Sequence, residues 1–184
     1  GIIDLKTAVR YFKTNASAYR IDPDKIFIGG WSNGGQLAFN AATFQEEELT
    51  TIANESIRTA VTGLVDEMGG MEGTDHLEVS SSVRGALMLN VYSFDLNSID
   101  TNDPALMFIQ HEESRISSMK HINTFGTFTI GNDTFYGPQP LFEKAKTVGY
   151  TDKADLELIK MMGQSYIQTI PGLTYHEPNY ASMS

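Results

Sequence analysis

Ser32 lies in a run whose neighbours decide what its hydroxyl can do. Gly30-Trp31-Ser32-Asn33-Gly34 fits G-x-S-x-G, and Gly35 follows at once. The apolar run Ile26-Phe27-Ile28 leads in, and Leu37, Ala38, Ala41 and Phe44 continue at helical spacing. A serine at a sharp strand-to-helix turn holds its hydroxyl clear at the end of a sheet, provided that the residues two positions away on either side lack bulk. The helix that follows aims its N-terminus at the same point, which makes the Asn33 N–H a candidate oxyanion donor. The chemistry expected is acyl transfer, with Ser32 as nucleophile. A phosphate loop is excluded, because it needs a lysine after its second glycine and Gln36 follows Gly35. The bend supplies no G-x-G-x-x-G for a dinucleotide. A plain glycine-rich turn is the bland alternative.

The flanking sequence must place this bend. Ile2, Leu5, Val9 and Phe12 predict a helix over residues 2–18, with Asp4 favourable at its positive end. Ile21-Asp22-Pro23-Asp24 ends it in a turn. A strand over Lys25–Ile28 and a helix from about Gly34 to Glu48 follow. Residues 45–82 combine a helical stretch with the loop MEGTDHLEVSSS, and are expected to form either a lid or a solvated acidic surface segment. Ala86–Val91 and Ala105–Ile109 read as buried strands, Pro138–Val148 as a helix, and residues 153–162 as a further helix. Residues 110–136 are polar and mixed, and Tyr166–Ile170 is the last strand candidate. Short apolar strands among helices predict an α/β fold, with a mostly parallel sheet covered by helices.

Composition narrows the partners. The chain has 184 residues, 41% apolar and 20% charged, as in a soluble single domain. A net charge of −10 argues against nucleic acid, whose phosphates demand clustered cations. No apolar run approaches the ~20 residues of a membrane span. There is no cysteine, which excludes disulfides, thiolate metal sites and cysteine nucleophiles. No leader pattern is visible. The first residue is Gly1 rather than Met, so this leaves the compartment open, and export is compatible with it.

The stretch DLKTAVRYFKTNASAYRIDPDKIFIGGWSNGGQLA resembles the nucleophile region of α/β-hydrolases, in their esterase and lipase branch. In that branch a helix and an IDP-x-[KR]-I turn precede the serine strand. Downstream, MGGMEG, DPALMFI, YGPQPLFEKAKTVGY and IPGLTYHEP resemble the central part, the penultimate helix and the histidine loop. The resemblance implies an α/β-hydrolase-like domain over residues 1–184, with 45–82 as candidate lid, and a serine ester hydrolase without cofactor or metal. Its substrate would be a small-molecule or polymeric ester.

The resemblance also implies partners for Ser32, in the chain order serine, acid, histidine. His176 follows Pro171-Gly172 and is the expected base, although the spacer Leu173-Thr174-Tyr175 is slightly long. The aspartate expected after ALMFI is replaced by Ser114 in Gln110-His111-Glu112-Glu113-Ser114. Glu113 is the favoured acid, with Glu112 and Asp95 as alternatives. His76, His111 and His121 lack such placement. His111 lies beside two glutamates, but no second histidine stands four residues on along a helix, which argues against a metal site. Trp31 and the Tyr92–Phe94 loop are candidate pocket walls, with ordinary packing the plainer role for Trp31.

The family's strands before the nucleophile strand, and the HGG-type loop that supplies a second oxyanion donor, have no counterpart in residues 1–24. The strand at Ile26–Ile28 is therefore expected at a sheet edge. That edge would pair with a second copy or with the rest of a larger protein.

Overall fold

The computed structural model describes residues 1–111, 115–116, 119–148, 154–161 and 165–167. The chain opens with helix α1 (Ile2–Thr14) and the single turn α2 (Ala16–Tyr19), where Arg20 ends the helical path in a left-handed conformation. Asp22 accepts the Asp24 N–H at 3.0 Å and shapes the turn into strand β1 (Phe27–Trp31). Helix α3 (Asn33–Thr43) follows the serine directly, and helix α4 (Glu55–Glu67) lies within residues 45–82. Strands β2 (Gly85–Leu89) and β3 (Ala105–His111) come next. Two hairpins, β4 (Arg115–Ile116) with β5 (Met119–Asn123) and β6 (Thr127–Ile130) with β7 (Asp133–Tyr136), then lead to helix α5 (Pro138–Thr147). Strands β8 (Ala154–Met161) and β9 (Ser165–Ile167) close the described chain.

The main sheet has the order β1-β2-β3-β8-β9. Its first four strands run parallel, and β9 turns back antiparallel to β8. The register sets Trp31 beside Leu89 and Leu89 beside Ile109, so β1 and β2 end level with each other while β3 runs two residues further to His111. Alternate residues of a strand face opposite sides. Ile28, Ala86, Met88, Leu106 and Phe108 therefore face one layer, where they pack with Phe39 and Ala42 of α3 and with Leu141 and Ala145 of α5. Truncating a side chain such as Phe108 in this layer would cost about 3–5 kcal/mol. On the opposite face Phe27 is 65% and Trp31 71% exposed, with Leu87 also exposed between them. Trp31 is thus not packed, contrary to its plainer expected role.

A second apolar cluster anchors the segment that follows α3. Phe44, Leu49, Ile52, Val65 and Met71 pack with Ile2 and Ile3 of α1 and with Phe94. Beside it lies an ionic knot. Lys6 and Arg10, 2% and 1% exposed, reach Glu72 at 2.7 and 2.5 Å. Arg10 also donates to the Asp75 carbonyl at 2.9 Å and to Thr7 at 3.1 Å. Two cations thereby fix residues 72–75 against α1.

Several elements differ from the sequence reading. α1 ends at Thr14 and buries Lys6, Val9 and Arg10, leaving Phe12 exposed. α3 stops at Thr43, because Phe44 turns extended and a short 3₁₀ turn takes over at Glu46. Residues 153–162, expected as a helix, contain strand β8. Helix-favouring Ala, Leu, Glu and Lys misled there, while Asp155-Leu156-Glu157-Leu158 carries the alternating pattern of a strand. Of the candidate strand Tyr166–Ile170, Tyr166 and Ile167 lie in β9, and residues 168–170 lie outside the described residues. The polar stretch 110–136 forms the two hairpins. The second turns on Gly131-Asn132, with Gly131 at φ +62°, as a two-residue hairpin loop requires.

Candidate active site

Ser32 joins β1 to α3 with φ 55° and ψ −122°. A left-handed φ is costly for a residue with a side chain, on the order of 1–3 kcal/mol, and persists only where the surroundings enforce it. The enforcement is visible in the backbone. The Ser32 N–H donates to the Leu89 carbonyl at 2.8 Å, and its own carbonyl accepts the Gln36 N–H at 3.0 Å. One peptide bond thus ties the bend to the end of β2, and the other starts the helix.

The glycines divide the work unevenly. A Cβ on Gly30 would lie 2.4 Å from the carbonyl carbon of Gly34. One on Gly35 would lie 2.9 Å from the Gly30 oxygen and 3.1 Å from the Leu89 oxygen. Gly34 is different: a Cβ there meets nothing within 4 Å. The expectation that bulk is excluded two positions either side of the serine therefore holds before it but not after it. The close approach falls on Gly35 instead.

Ser32 and Asn33 are both exposed. Asn33 is the first residue of α3, where backbone N–H groups have no partner within the helix. The helix dipole adds a partial positive charge at the same point. An exposed hydroxyl beside such donors suits the build-up of negative charge on an attacked carbonyl.

The loop after β2 borders this point. Asn90 follows Leu89 with φ 54°, a second left-handed residue beside Ser32. Beyond it, Ser93 and Tyr136 exchange two backbone hydrogen bonds of 2.8 Å, which braces the loop on the second hairpin. Tyr92 packs edge-on to Phe128 and Phe135, with ring centroids 5.3 and 5.6 Å away. Sequence reasoning missed Asn90 and this brace. The one available signal was an asparagine directly after the apolar run ALML, since asparagine tolerates a left-handed backbone better than most residues.

Asp95, one of the alternative acids, is 2% exposed. One carboxylate oxygen accepts the N–H groups of Asn97 at 3.0 Å and Ser98 at 3.1 Å. Burial pushes its carboxyl up, and these backbone N–H bonds and Lys144 pull it back. Its hydrogen bonding is thus directed to the turn of its own loop. Glu112, Glu113 and His176 lie outside the described residues. His111 ends β3, level with Ile159 of β8. His76 sits 3.6 Å from Glu78, and His121 is exposed on β5, so neither belongs to the serine bend. Among the described residues, no group of three or more histidine, aspartate or glutamate side chains is arranged to hold a metal ion. None of their helices is long and apolar enough to cross a membrane.

The family model described as BD-FAE matches residues 1–165. No curated protein matches the sequence. Among solved structures, a truncated carbohydrate esterase from gut microbiota aligns with a TM-score of 0.53 at 18% identity, covering 89% of this chain and 60% of that one. Thermogutta terrifontis esterase 2 with butyrate bound aligns with a TM-score of 0.55 at 16% identity, over 86% of this chain and 54% of that one. The same esterase phosphorylated by paraoxon aligns with a TM-score of 0.53 at 18% identity, over 86% and 51%. At such identities the likeness speaks for the fold. The chain spans 51–60% of the length of these three structures.

Proposed function

The chain belongs to the BD-FAE family, with an α/β-hydrolase-type fold, and from that premise we propose that it is a serine hydrolase of carboxylic esters. The observation that carries the reading is the left-handed Ser32 between β1 and α3, wedged by Gly30 and Gly35. In the proposed reaction His176 takes the Ser32 hydroxyl proton as Oγ bonds to the ester carbonyl carbon. The Asn33 N–H donates to the oxyanion that forms. The alcohol then leaves with the proton from His176, and water releases the acyl group from Ser32 by the same steps in reverse order. Glu113 is the proposed acid that orients His176. The commitment of Asp95 to its own loop supports that choice over Asp95.

Thermogutta terrifontis esterase 2 is seen with butyrate bound and, separately, phosphorylated by paraoxon. By analogy, short acyl esters, including those borne on carbohydrate, are the proposed substrates. Residues 45–82 are the proposed lid, anchored to α1 by Glu72. Treatment with a fluorophosphonate probe, with Ser32→Ala as control, tests the core of the reading. Labelling confined to Ser32, together with hydrolysis of a short nitrophenyl ester, is expected. An unlabelled Ser32 and no ester turnover would sink it, and would favour a second reading as a non-catalytic binding or scaffold protein.

Among the described residues no strand pairs with the outer edge of β1, and that edge favours a partner under either reading. Ile26 and Ser32 bond toward β2, so alternation turns the N–H and C=O groups of Phe27, Gly29 and Trp31 outward. We propose that a second copy pairs here antiparallel about Gly29, setting Phe27 of one copy opposite Trp31 of the other. A size measurement that finds a stable monomer across all concentrations would count against it.

A further inference from the structure

The Leu89–Asn90 peptide is held at both ends. Its carbonyl accepts the Ser32 N–H at 2.8 Å, and its N–H donates to the Ile109 carbonyl at 3.0 Å. The chain beyond is held as well. Val91 is buried, and Ser93 exchanges two 2.8 Å bonds with Tyr136. Between these fixed points the backbone must change direction at one residue, and Asn90 does so at φ 54°. Among the described residues its carboxamide has no hydrogen-bond partner, so the feature of Asn90 that these residues do constrain is its backbone.

We infer that Asn90 is a positioning residue for Ser32, acting through its left-handed backbone rather than through its carboxamide. The inference deepens the proposed role of Ser32 and rests on it for its catalytic consequence. A residue that resists positive φ can relax in only two ways. It rotates the 89–90 peptide, which breaks the bond to Ser32, or it drags residues 91–93 off the second hairpin. Rotation disturbs two hydrogen bonds. Dragging disturbs two hydrogen bonds and exposes Val91. The peptide is therefore the part that gives, and Ser32 loses the bond that fixes its height above the sheet. Two adjacent left-handed residues at the level ends of paired strands thus form one device, with Asn90 as its outer half.

The test compares the full chain with Asn90→Gly and Asn90→Ala. Glycine keeps the backbone freedom and removes the amide. Alanine removes the amide and resists the left-handed region. Two readouts are taken: hydrogen exchange at the Ser32 amide, and the kinetics of nitrophenyl butyrate hydrolysis per probe-titrated site. In Asn90→Gly both are expected within about twofold of the parent. In Asn90→Ala the Ser32 amide should exchange about fivefold to tenfold faster, and kcat should fall by a similar factor with KM unchanged. Equal exchange in all three chains would overturn the inference. So would a loss in Asn90→Gly as large as in Asn90→Ala, because the carboxamide would then be the active part. If the parent neither labels nor turns over ester, the hydrolase reading fails, and the exchange comparison still decides the role of Asn90. Should Asn90→Ala not fold, Asn90→Gln takes its place: it keeps an amide but resists positive φ, so faster exchange and a lower kcat are expected, and parent-like exchange refutes.

Discussion

Gly30 and Gly34 flank Ser32 symmetrically in the sequence, yet they should respond in opposite ways to the same change. In Gly30→Ala the new methyl would sit 2.4 Å from the Gly34 carbonyl carbon, 2.6 Å from its oxygen and 2.9 Å from its Cα. All three are backbone atoms, so no side chain can swing away. Ordinary contact begins near 3.4 Å, so strand and helix must part by about 1 Å. Overpacking usually costs 1–3 kcal/mol, and a backbone clash belongs at the top of that range, about 3 kcal/mol. For a chain of this size that is roughly 6–12 °C in Tm. A shift of about 1 Å at a reacting group costs on the order of 10²-fold in rate. Gly34→Ala places its methyl in open space within α3, where alanine improves helix propensity by up to ~1 kcal/mol. It should be neutral or about 0.5 kcal/mol stabilising, the smaller gain reflecting its place in the first turn. Thermal melts of both variants, with the rate of fluorophosphonate labelling, decide the matter. If Gly30→Ala melts and labels like the parent, or if the two variants lose equally, the steric account of the bend is wrong.

Ser32→Gly should abolish labelling while raising stability by about 1 kcal/mol, since it relieves a left-handed residue; a lowered denaturation midpoint would argue against strain at Ser32. Glu72→Gln leaves Lys6 and Arg10 buried against a neutral partner, and breaking a buried pair costs about 3–5 kcal/mol. Glu72 itself is half-exposed, so a loss nearer 2 kcal/mol in urea titration is expected, and a neutral result would show the knot to be dispensable. Glu48 is pushed up to about 7, mainly by burial and further by Asp100 and Asp95, against the pull of the Gln45 N–H. The folded chain therefore holds this proton more tightly than the unfolded one, so stability falls as pH rises from the ordinary carboxyl value to about 7. Partial exposure discounts the effect to roughly 1 kcal/mol. Glu48→Gln should thus be more stable than the parent at pH 8 and indistinguishable from it below pH 4.5, as denaturant midpoints at the two pH values would report.

What could be read from the sequence was mostly local. Ile26-Phe27-Ile28 and the glycines around Ser32 specify a strand, a bend and a helix through contacts a few residues apart. The bend was therefore legible down to the serine at its turn. Gly34 was misjudged because G-x-S-x-G gives identity without distance, and it takes the approach of the Gly30 and Leu89 carbonyls to reveal that Gly35 carries the constraint. Residues 153–162 went wrong because the pairing of β8 with β3, some fifty residues earlier, outweighs helix propensity. The same blindness to distant contacts hid Asn90, whose conformation is dictated by Ser32, Ile109 and Tyr136. Phe12 sits at a helical spacing that promised burial. The buried face of α1 is instead rotated toward Lys6 and Arg10, whose partner lies 62 residues downstream of Arg10.

That separation has a consequence in time. Domains are synthesised at roughly 5–20 residues per second, so Glu72 is made about 3–12 s after Arg10. Throughout that interval the two cations have no carboxylate to dock on, and burying them unpaired is prohibitively costly. α1 must therefore wait in water, its positive face outward, while β1 and α3 are being made. Docking of the first helix becomes a late event in the birth of this chain, and the arrival of one glutamate sets its clock.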